Sequence, residues 1–224
     1  MEILSSLYRH LRIRWEILFF VFVFVLLGFQ VLSLYLDIQS FSNAHGAIAF
    51  FVGFESFVAT RLTYVSLPVI LFPLAYLFCR SKRPAWARLY LDFLGAYVIF
   101  RLVIQFIGLN ILVFDSVTSR FLLISQVLLF LPYSLLIWGW IYWRLDAIAR
   151  ASDRPLFHLD CESVAPPRPI DYFVASFSSV FSATINAIKG NSARARTLIL
   201  LHGFMIYDIM GLTLSRAVAL VQVK

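Results

Sequence analysis

The chain has 224 residues, of which 61% are hydrophobic and 17% aromatic, and its formal net charge is +7. Soluble domains are roughly 45–50% apolar, so this composition excludes a soluble globular protein and predicts a polytopic membrane protein. The basic residues cluster at the ends of apolar segments instead of forming one patch, which argues against nucleic acid as a partner. We therefore expect the lipid bilayer to be the main environment of the chain.

The N-terminal residues 1–15 form a basic amphipathic lead that we expect to lie at the membrane surface. An apolar run at about 16–36 follows. It is longer than the ~7–15 apolar residues at the core of a cleavable signal peptide. The run therefore predicts a retained first membrane span.

The next apolar stretch, 46–79, contains the charged residues Glu55 and Arg61. One helix of that length would overshoot the ~30 Å hydrocarbon layer. We predict an interfacial or partly re-entrant helix at 46–58, which keeps both charges in water, and a second span at 62–79. The alternative is a sixth span at 44–60.

A third span is predicted at 89–113 and a fourth at 121–143, so that 16–143 makes a four-span bundle. The fourth span ends in aromatic residues typical of an interfacial belt, namely Trp138, Trp140, Tyr142 and Trp143. Residues 144–169 are a polar, proline-containing connection, either a solvated linker or a docking segment for a partner.

The C-terminal region, 170–224, begins with an amphipathic segment for which we predict a short helix at 171–184. Asp171 suits the N-terminus of that helix, where negative charge is favoured. A polar turn and a long apolar helix at about 197–221 complete the chain. The whole sequence thus predicts an all-α protein with about five spans and one short re-entrant helix.

This layout resembles the pore loop and inner helix of tetrameric cation channels. The matching positions are Asp171, Ser176-Phe177, Ala193-Arg194 and Ser215-Arg216. The run Ser182–Ala187 lacks the glycines that let filter carbonyls face a pore, so the resemblance does not extend to a potassium filter. With Leu201-His202-Gly203, the region is more similar to an uncharacterised bacterial membrane-protein family of the same layout. The resemblance implies a bacterial inner membrane and a homo-oligomer, a tetramer by analogy with the channels.

Within this region the pore-loop candidates are polar residues of the loop and its helix: Ser178, Ser179, Ser182, Thr184 and Asn186. The serines share a helix face. They can line a polar vestibule, or they can allow close helix packing as small residues do. His202 is a candidate titrating switch, with hydrogen-bonded packing as the other interpretation.

No catalytic, nucleotide-binding or metal-binding motif is present. We therefore expect no enzyme activity, no cofactor and no metal. Two functions remain: a channel-like protein, or a non-conducting scaffold or sensor that serves a soluble cytoplasmic partner, for example in a bacterial stress or phage-defence system.

Two intramembrane charges, Arg101 and Asp208, lie near the middle of their predicted spans. A lone charge at the bilayer centre costs roughly 2.5–3.5 kcal/mol on insertion scales. We therefore predict that the two residues pair, with Arg216 as the rival partner of Asp208. The pair either orients two helices or forms a charged constriction.

The distribution of Lys and Arg predicts which side each connection faces. Three basic residues lie in the lead, four in the loop at 80–88 and seven in the connection after the fourth span, against three on the other side. The positive-inside rule then places the N-terminus in the cytoplasm. Cys161 should resist a membrane-impermeant maleimide in intact cells and react after lysis. Rapid labelling in intact cells would contradict this topology.

Overall fold

The computed structural model describes residues 14–36, 46–80, 84–114, 120–159, 167–182 and 187–222. Seven α-helices lie within these ranges: α1 (Trp15–Leu36), α2 (Ala47–Phe57), α3 (Thr63–Cys79), α4 (Ala87–Phe114), α5 (Arg120–Arg150), α6 (Pro169–Ser182) and α7 (Ala193–Gln222). A π-helical turn at Val58–Leu62 joins α2 to α3. Two short strands, β1 (Phe157–Leu159) and β2 (Ile188–Gly190), complete the described elements.

Four helical segments are long and apolar enough to cross a bilayer: Trp15–Leu36, Ala87–Val113, Leu122–Arg150 and Ala193–Leu212. Many of their outward side chains are large and apolar, such as Phe22, Phe93 and Phe204. These features support a membrane-embedded, almost wholly helical protein. The predicted span at 62–79 corresponds to α3, which has 17 residues and is not among the four. The count of five spans stays a prediction.

Helix α5 continues past residue 143 to Arg150, so the predicted polar connection begins later than expected. The helix ends in a turn where Asp153 has φ 52°, a conformation that Asp tolerates better than most residues. In that turn the Arg154 N–H returns to the Ala149 carbonyl at 3.1 Å. Such a left-handed residue just beyond the last helical turn is a common way to stop a helix.

Strands β1 and β2 pair antiparallel, with Phe157 opposite Gly190 and Leu159 opposite Ile188. The described chain is almost wholly helical, as predicted, and this short strand pair is the exception. A three-residue strand carries no periodic hydrophobic pattern, so the sequence did not indicate it. The predicted aromatic belt is wrong. Trp138, Trp140 and Tyr142 are buried inside the protein and do not face lipid.

Contacts divide the chain into a first unit, residues 1–129, and a second unit, residues 130–224, with α5 contributing to both. Arginine side chains connect the helices at one end of the first unit. Arg14 donates to the carbonyls of Leu77 (3.2 Å) and Arg80 (2.6 Å), where α3 finishes. Arg88, at the start of α4, binds both carboxylate oxygens of buried Glu16 on α1 at 3.0 Å. Helix α1 therefore starts at the end where α3 finishes and α4 starts.

A buried apolar cluster lies towards the other ends of α1 and α4. Its members are Leu34, Phe51, Val52, Leu112 and Leu122. Helices α2 and α4 approach each other closely here. A Cβ on Gly108 would lie 2.1 Å from the Phe51 ring. The Gln126 amide on α5 donates to the Gln30 carbonyl of α1 at 2.9 Å. Small residues at such crossings let membrane helices approach each other.

Candidate functional site

Helix α6 is a short helix with a well-defined start. Pro169 occupies its first position, where the missing N–H costs nothing. The Asp171 carboxylate accepts the Arg168 N–H at 2.6 Å and places negative charge in the first turn. The predicted short helix and the capping role of Asp171 are thus confirmed, with the helix at Pro169–Ser182 instead of 171–184.

Helix α6 runs antiparallel along α5. The Tyr172 hydroxyl donates to Asp146 at one end of the contact. The Ser176 hydroxyl donates to the Leu135 carbonyl at 2.8 Å further along. Tyr172 and Ser176 are four residues apart on α6, about 6 Å at ~1.5 Å per residue, so the contact between the two helices is short.

The two helices touch most closely at Gly139, between those hydrogen bonds. A Cβ on Gly139 would lie 2.5 Å from Cδ1 and 3.1 Å from the Cα of Phe173. A larger residue would have to displace the backbone of α6 as well as a side chain. The absence of a side chain at Gly139 therefore sets the distance between the two helices.

After α6 the chain returns to the Asp146 end of α5. There β2 pairs with β1, whose first residue, Phe157, donates its N–H to Asp146 at 2.9 Å. The Asn191 N–H, just after β2, binds the Leu156 carbonyl at 2.9 Å. The start of helix α6 and strand β2 thus lie at the same end of the second unit.

Asp146 holds this arrangement together, and its side chain is fully buried. One carboxylate oxygen accepts the N–H groups of Leu156 (2.7 Å) and Phe157 (2.9 Å). The other accepts from Arg150 and from the Tyr172 hydroxyl. All four partners are donors, so both carboxylate oxygens act as hydrogen-bond acceptors. Burial and the hydrogen bond to Asp146 both raise the pKa of Tyr172, which keeps its proton available for donation.

His202 lies in a buried aromatic pocket of the second unit. Its Nδ1 is 3.0 Å from the Tyr142 hydroxyl, and its ring stacks on Trp138 with centroids 4.9 Å apart. Tyr142 in turn packs edge-on against Phe157 of β1. Of the two interpretations of His202, this geometry favours hydrogen-bonded packing, because the imidazole is fully buried among aromatic rings.

The described serines of α6 turn their hydroxyls to protein carbonyls. Ser179 is buried and donates to the Ser176 carbonyl at 2.7 Å, and Ser178 donates to the Ala175 carbonyl at 2.8 Å. These bonds favour the packing interpretation. The other pore-loop candidates lie outside what the structure describes: Thr184 and Asn186 entirely, and Ser182 beyond its backbone.

Arg101 pairs with Glu55 in the first unit. Arg101 Nη2 lies 2.7 Å from Glu55 Oε2, and both side chains are 1% exposed. The guanidinium also lies over the Phe54 ring, 5.7 Å from its centroid. The prediction that Glu55 stays in water is therefore wrong. The helical run from α2 through the π turn buries it against α4.

Asp208 is half-buried on α7, in the second unit. Arg101 already has a carboxylate partner in the first unit, so it no longer requires Asp208 to neutralise it. A pair between Arg101 and Asp208 would join the two units and stays a prediction. The side chain of the rival, Arg216, lies outside what the structure describes.

Sequence reasoning missed two carboxylates, Glu55 and Asp146. Glu55 was predicted to stay in water, and Asp146 lies in the predicted polar connection at 144–169, yet both are buried and bonded. A signal existed for Asp146, because Arg150 follows at the i,i+4 spacing that pairs charges on a helix. In the described part of the chain, no cluster of three or more His, Cys, Asp or Glu can hold a metal.

The Glu55–Arg101 pair generates a stability prediction. Glu55→Gln should lower the free energy of unfolding by about 3–5 kcal/mol, because it leaves a buried guanidinium uncompensated. The double change Glu55→Leu with Arg101→Met should recover most of that loss, since apolar replacement of a buried pair is often neutral. Denaturant titration in detergent measures both. A double variant no more stable than Glu55→Gln would contradict the pairing.

Asp146 generates a second prediction. Asp146→Asn should lower the free energy of unfolding by about 2–5 kcal/mol, because an amide nitrogen must then face donors whichever way it turns. Tyr172→Phe removes one donor and should cost less, about 1–2 kcal/mol. Asp153→Asn, at an exposed carboxylate, is the matched control and should change nothing measurable. Equal stability of Asp146→Asn and Asp153→Asn would refute the anchoring role.

Comparisons of the chain with protein-family models, curated proteins and solved structures found no match. Functional inference for this chain therefore depends on contacts inside its two units. The contacts used below are the Asp146 hydrogen bonds to β1 and α6 and the buried Glu55–Arg101 pair.

Proposed function

We propose that the chain is a channel-like protein of the bacterial inner membrane, a homo-oligomer in which α6 is the re-entrant helix. The supporting observation is the path of the second unit. Helix α6 runs back along α5 from Asp146, and the chain has returned to the Asp146 end by β2. A pore loop has the same layout. It consists of a short helix that enters the membrane and a following segment that leads back to the same side. Without filter glycines, such a pore has low ion selectivity.

The proposed topology has five spans and a cytoplasmic N-terminus. Helix α1 starts at the end of the first unit where α3 finishes. An odd number of crossings therefore separates Leu36 from Cys79, which favours five spans over six. Arg14, Arg80 and Arg88 lie at that end, and positive charge favours the cytoplasmic side. In this topology α6 enters from the cytoplasm, opposite to the loops of the channels that it resembles.

The outer face of α6 supports the proposed homo-oligomer. Ile170 and Val174, one turn apart, are 60% and 61% exposed. On one side α6 packs on α5, and on the other side the described residues leave its apolar side chains exposed. Non-helical backbone at membrane depth is tolerated only where protein or a water-filled cavity surrounds it. Neighbouring copies around a central axis would supply that cover, and a tetramer is the arrangement implied by the channel resemblance.

A second candidate is a non-conducting membrane subunit that scaffolds or senses for a soluble cytoplasmic partner. The observation that favours it is the bonding of Ser176 and Ser179 to protein carbonyls, because hydroxyls used in this way do not line a pore. An effector gene beside this one, of the stress or phage-defence type, would strengthen the second candidate.

Planar-bilayer recording tests the channel proposal. Purified protein should give stepwise currents with little discrimination among small cations. Gly139→Leu should reduce the open probability at least tenfold, because a side chain there collides with Phe173 and displaces α6. Gly211→Leu on α7 is the matched control, since a Cβ at Gly211 meets nothing within 4 Å.

One outcome would reject the channel, and a second would reject the role of α6 in conduction. One is a wild-type current no different from protein-free bilayers, which would favour the scaffold or sensor. The other is an equal loss of current in Gly139→Leu and Gly211→Leu, which would remove α6 from the conduction path.

A further inference from the structure

The first unit contains a cavity of about 590 Å³ between α1, the π turn with α3, and α4. This size is within the range of small-molecule pockets. Leu27 and Val31 form one apolar wall, and Ile70 and Leu71 form another. Tyr97 and Arg101 line the cavity from α4. The cavity thus joins a long apolar surface to one strong group of hydrogen-bond donors.

Two nitrogens of Arg101 make no hydrogen bond to the described residues. Its Nη2 binds Glu55, while Nε and Nη1 are buried and have no acceptor among the residues that the structure describes. Buried donors without acceptors are unfavourable. Glu55 Oε1 is also buried without a partner among the described residues. A ligand oxygen that reached the guanidinium from the cavity would satisfy its free N–H groups while Nη2 stays bound to Glu55.

The net charge of the Arg101–Glu55 pair indicates whether the ligand oxygen is charged or neutral. Arg101 and Glu55 together are neutral, so an anionic ligand would bring one uncompensated charge into a buried site, which is strongly unfavourable. A carbonyl oxygen accepts hydrogen bonds without that cost. The chemistry of the site therefore fits a neutral ligand with a carbonyl group.

Depth excludes phospholipid carbonyls as the source of that oxygen. Arg101 lies next to the midpoint of the apolar segment Ala87–Val113, and hence near the centre of the bilayer. Phospholipid ester groups lie at the headgroup boundary, roughly 15 Å away for a hydrocarbon layer of ~30 Å. A polar group at the depth of Arg101 must belong to a molecule dissolved in the hydrocarbon layer.

We propose that this cavity binds a prenyl quinone or a similar neutral, membrane-dissolved molecule with a ring carbonyl and an apolar tail. The carbonyl accepts from Nε–H or Nη1–H of Arg101. The ring lies near Phe24 and Tyr97, which stack with centroids 6.0 Å apart and line the same cavity. The tail follows the apolar walls. The site belongs to the first unit and does not depend on whether the second unit conducts.

Native mass spectrometry from detergent micelles, with decylubiquinone as the probe, tests the site. The wild-type chain should bind decylubiquinone at least tenfold more tightly than decylbenzene, which has no carbonyl. Gly28→Leu should weaken binding at least tenfold, because Gly28 lines the cavity and has room for a side chain. Gly53→Leu, equally unhindered and outside the cavity lining, should bind as the wild type does.

A second variant tests the carbonyl contact separately from the shape of the cavity. Glu55→Leu with Arg101→Met should bind both probes with similar affinity, because it removes the donors and keeps an apolar site. Four outcomes would overturn the proposal. These are no binding of decylubiquinone, equal wild-type affinity for both probes, equal loss in Gly53→Leu, and a co-purified phospholipid that decylubiquinone does not displace.

Discussion

A polar group that leaves water for the hydrocarbon layer must find its partners inside the protein, because lipid offers none. The described contacts of this chain follow that constraint closely. Asp146 is surrounded by four donors, and Glu55 faces Arg101. Serine hydroxyls return to carbonyls of α5 and α6. The apolar majority of the sequence sets the environment, and these few polar contacts specify which helices pack together.

In the second unit, one carboxylate organises three elements. Asp146 lies on α5, binds the first strand of the sheet through backbone N–H groups and holds the start of α6 through Tyr172. A short helix has little stability of its own in isolation. Packing at Gly139 and the Ser176 hydrogen bond supply what its local sequence lacks. The position of α6 against α5 therefore depends on this packing.

In the first unit, the charged side chains are bound in two different ways. At one end, arginines bind helix carbonyls and Glu16, where charged side chains can reach the interface. In the middle, Arg101 and Glu55 neutralise each other, and the guanidinium keeps unused donors towards a cavity. The unpartnered nitrogens of Arg101 and the apolar cavity that this residue lines are the observations behind the proposed ligand site.

The sequence by itself determined the environment and the positions of most helices, because runs of apolar residues and their basic flanks are local signals. Predicted spans at 16–36 and 89–113 match α1 and α4 within a few residues, and the short helix before the last one was also found. Only the tertiary structure decided which charges are buried. Glu55 and Asp146 look like wet residues in sequence, since their burial depends on partners distant in the chain: Arg101 for one, and Tyr172 with the backbone of β1 for the other. The β1–β2 pairing is hidden for the same reason, because its strands are too short to carry a pattern and exist through contact with each other.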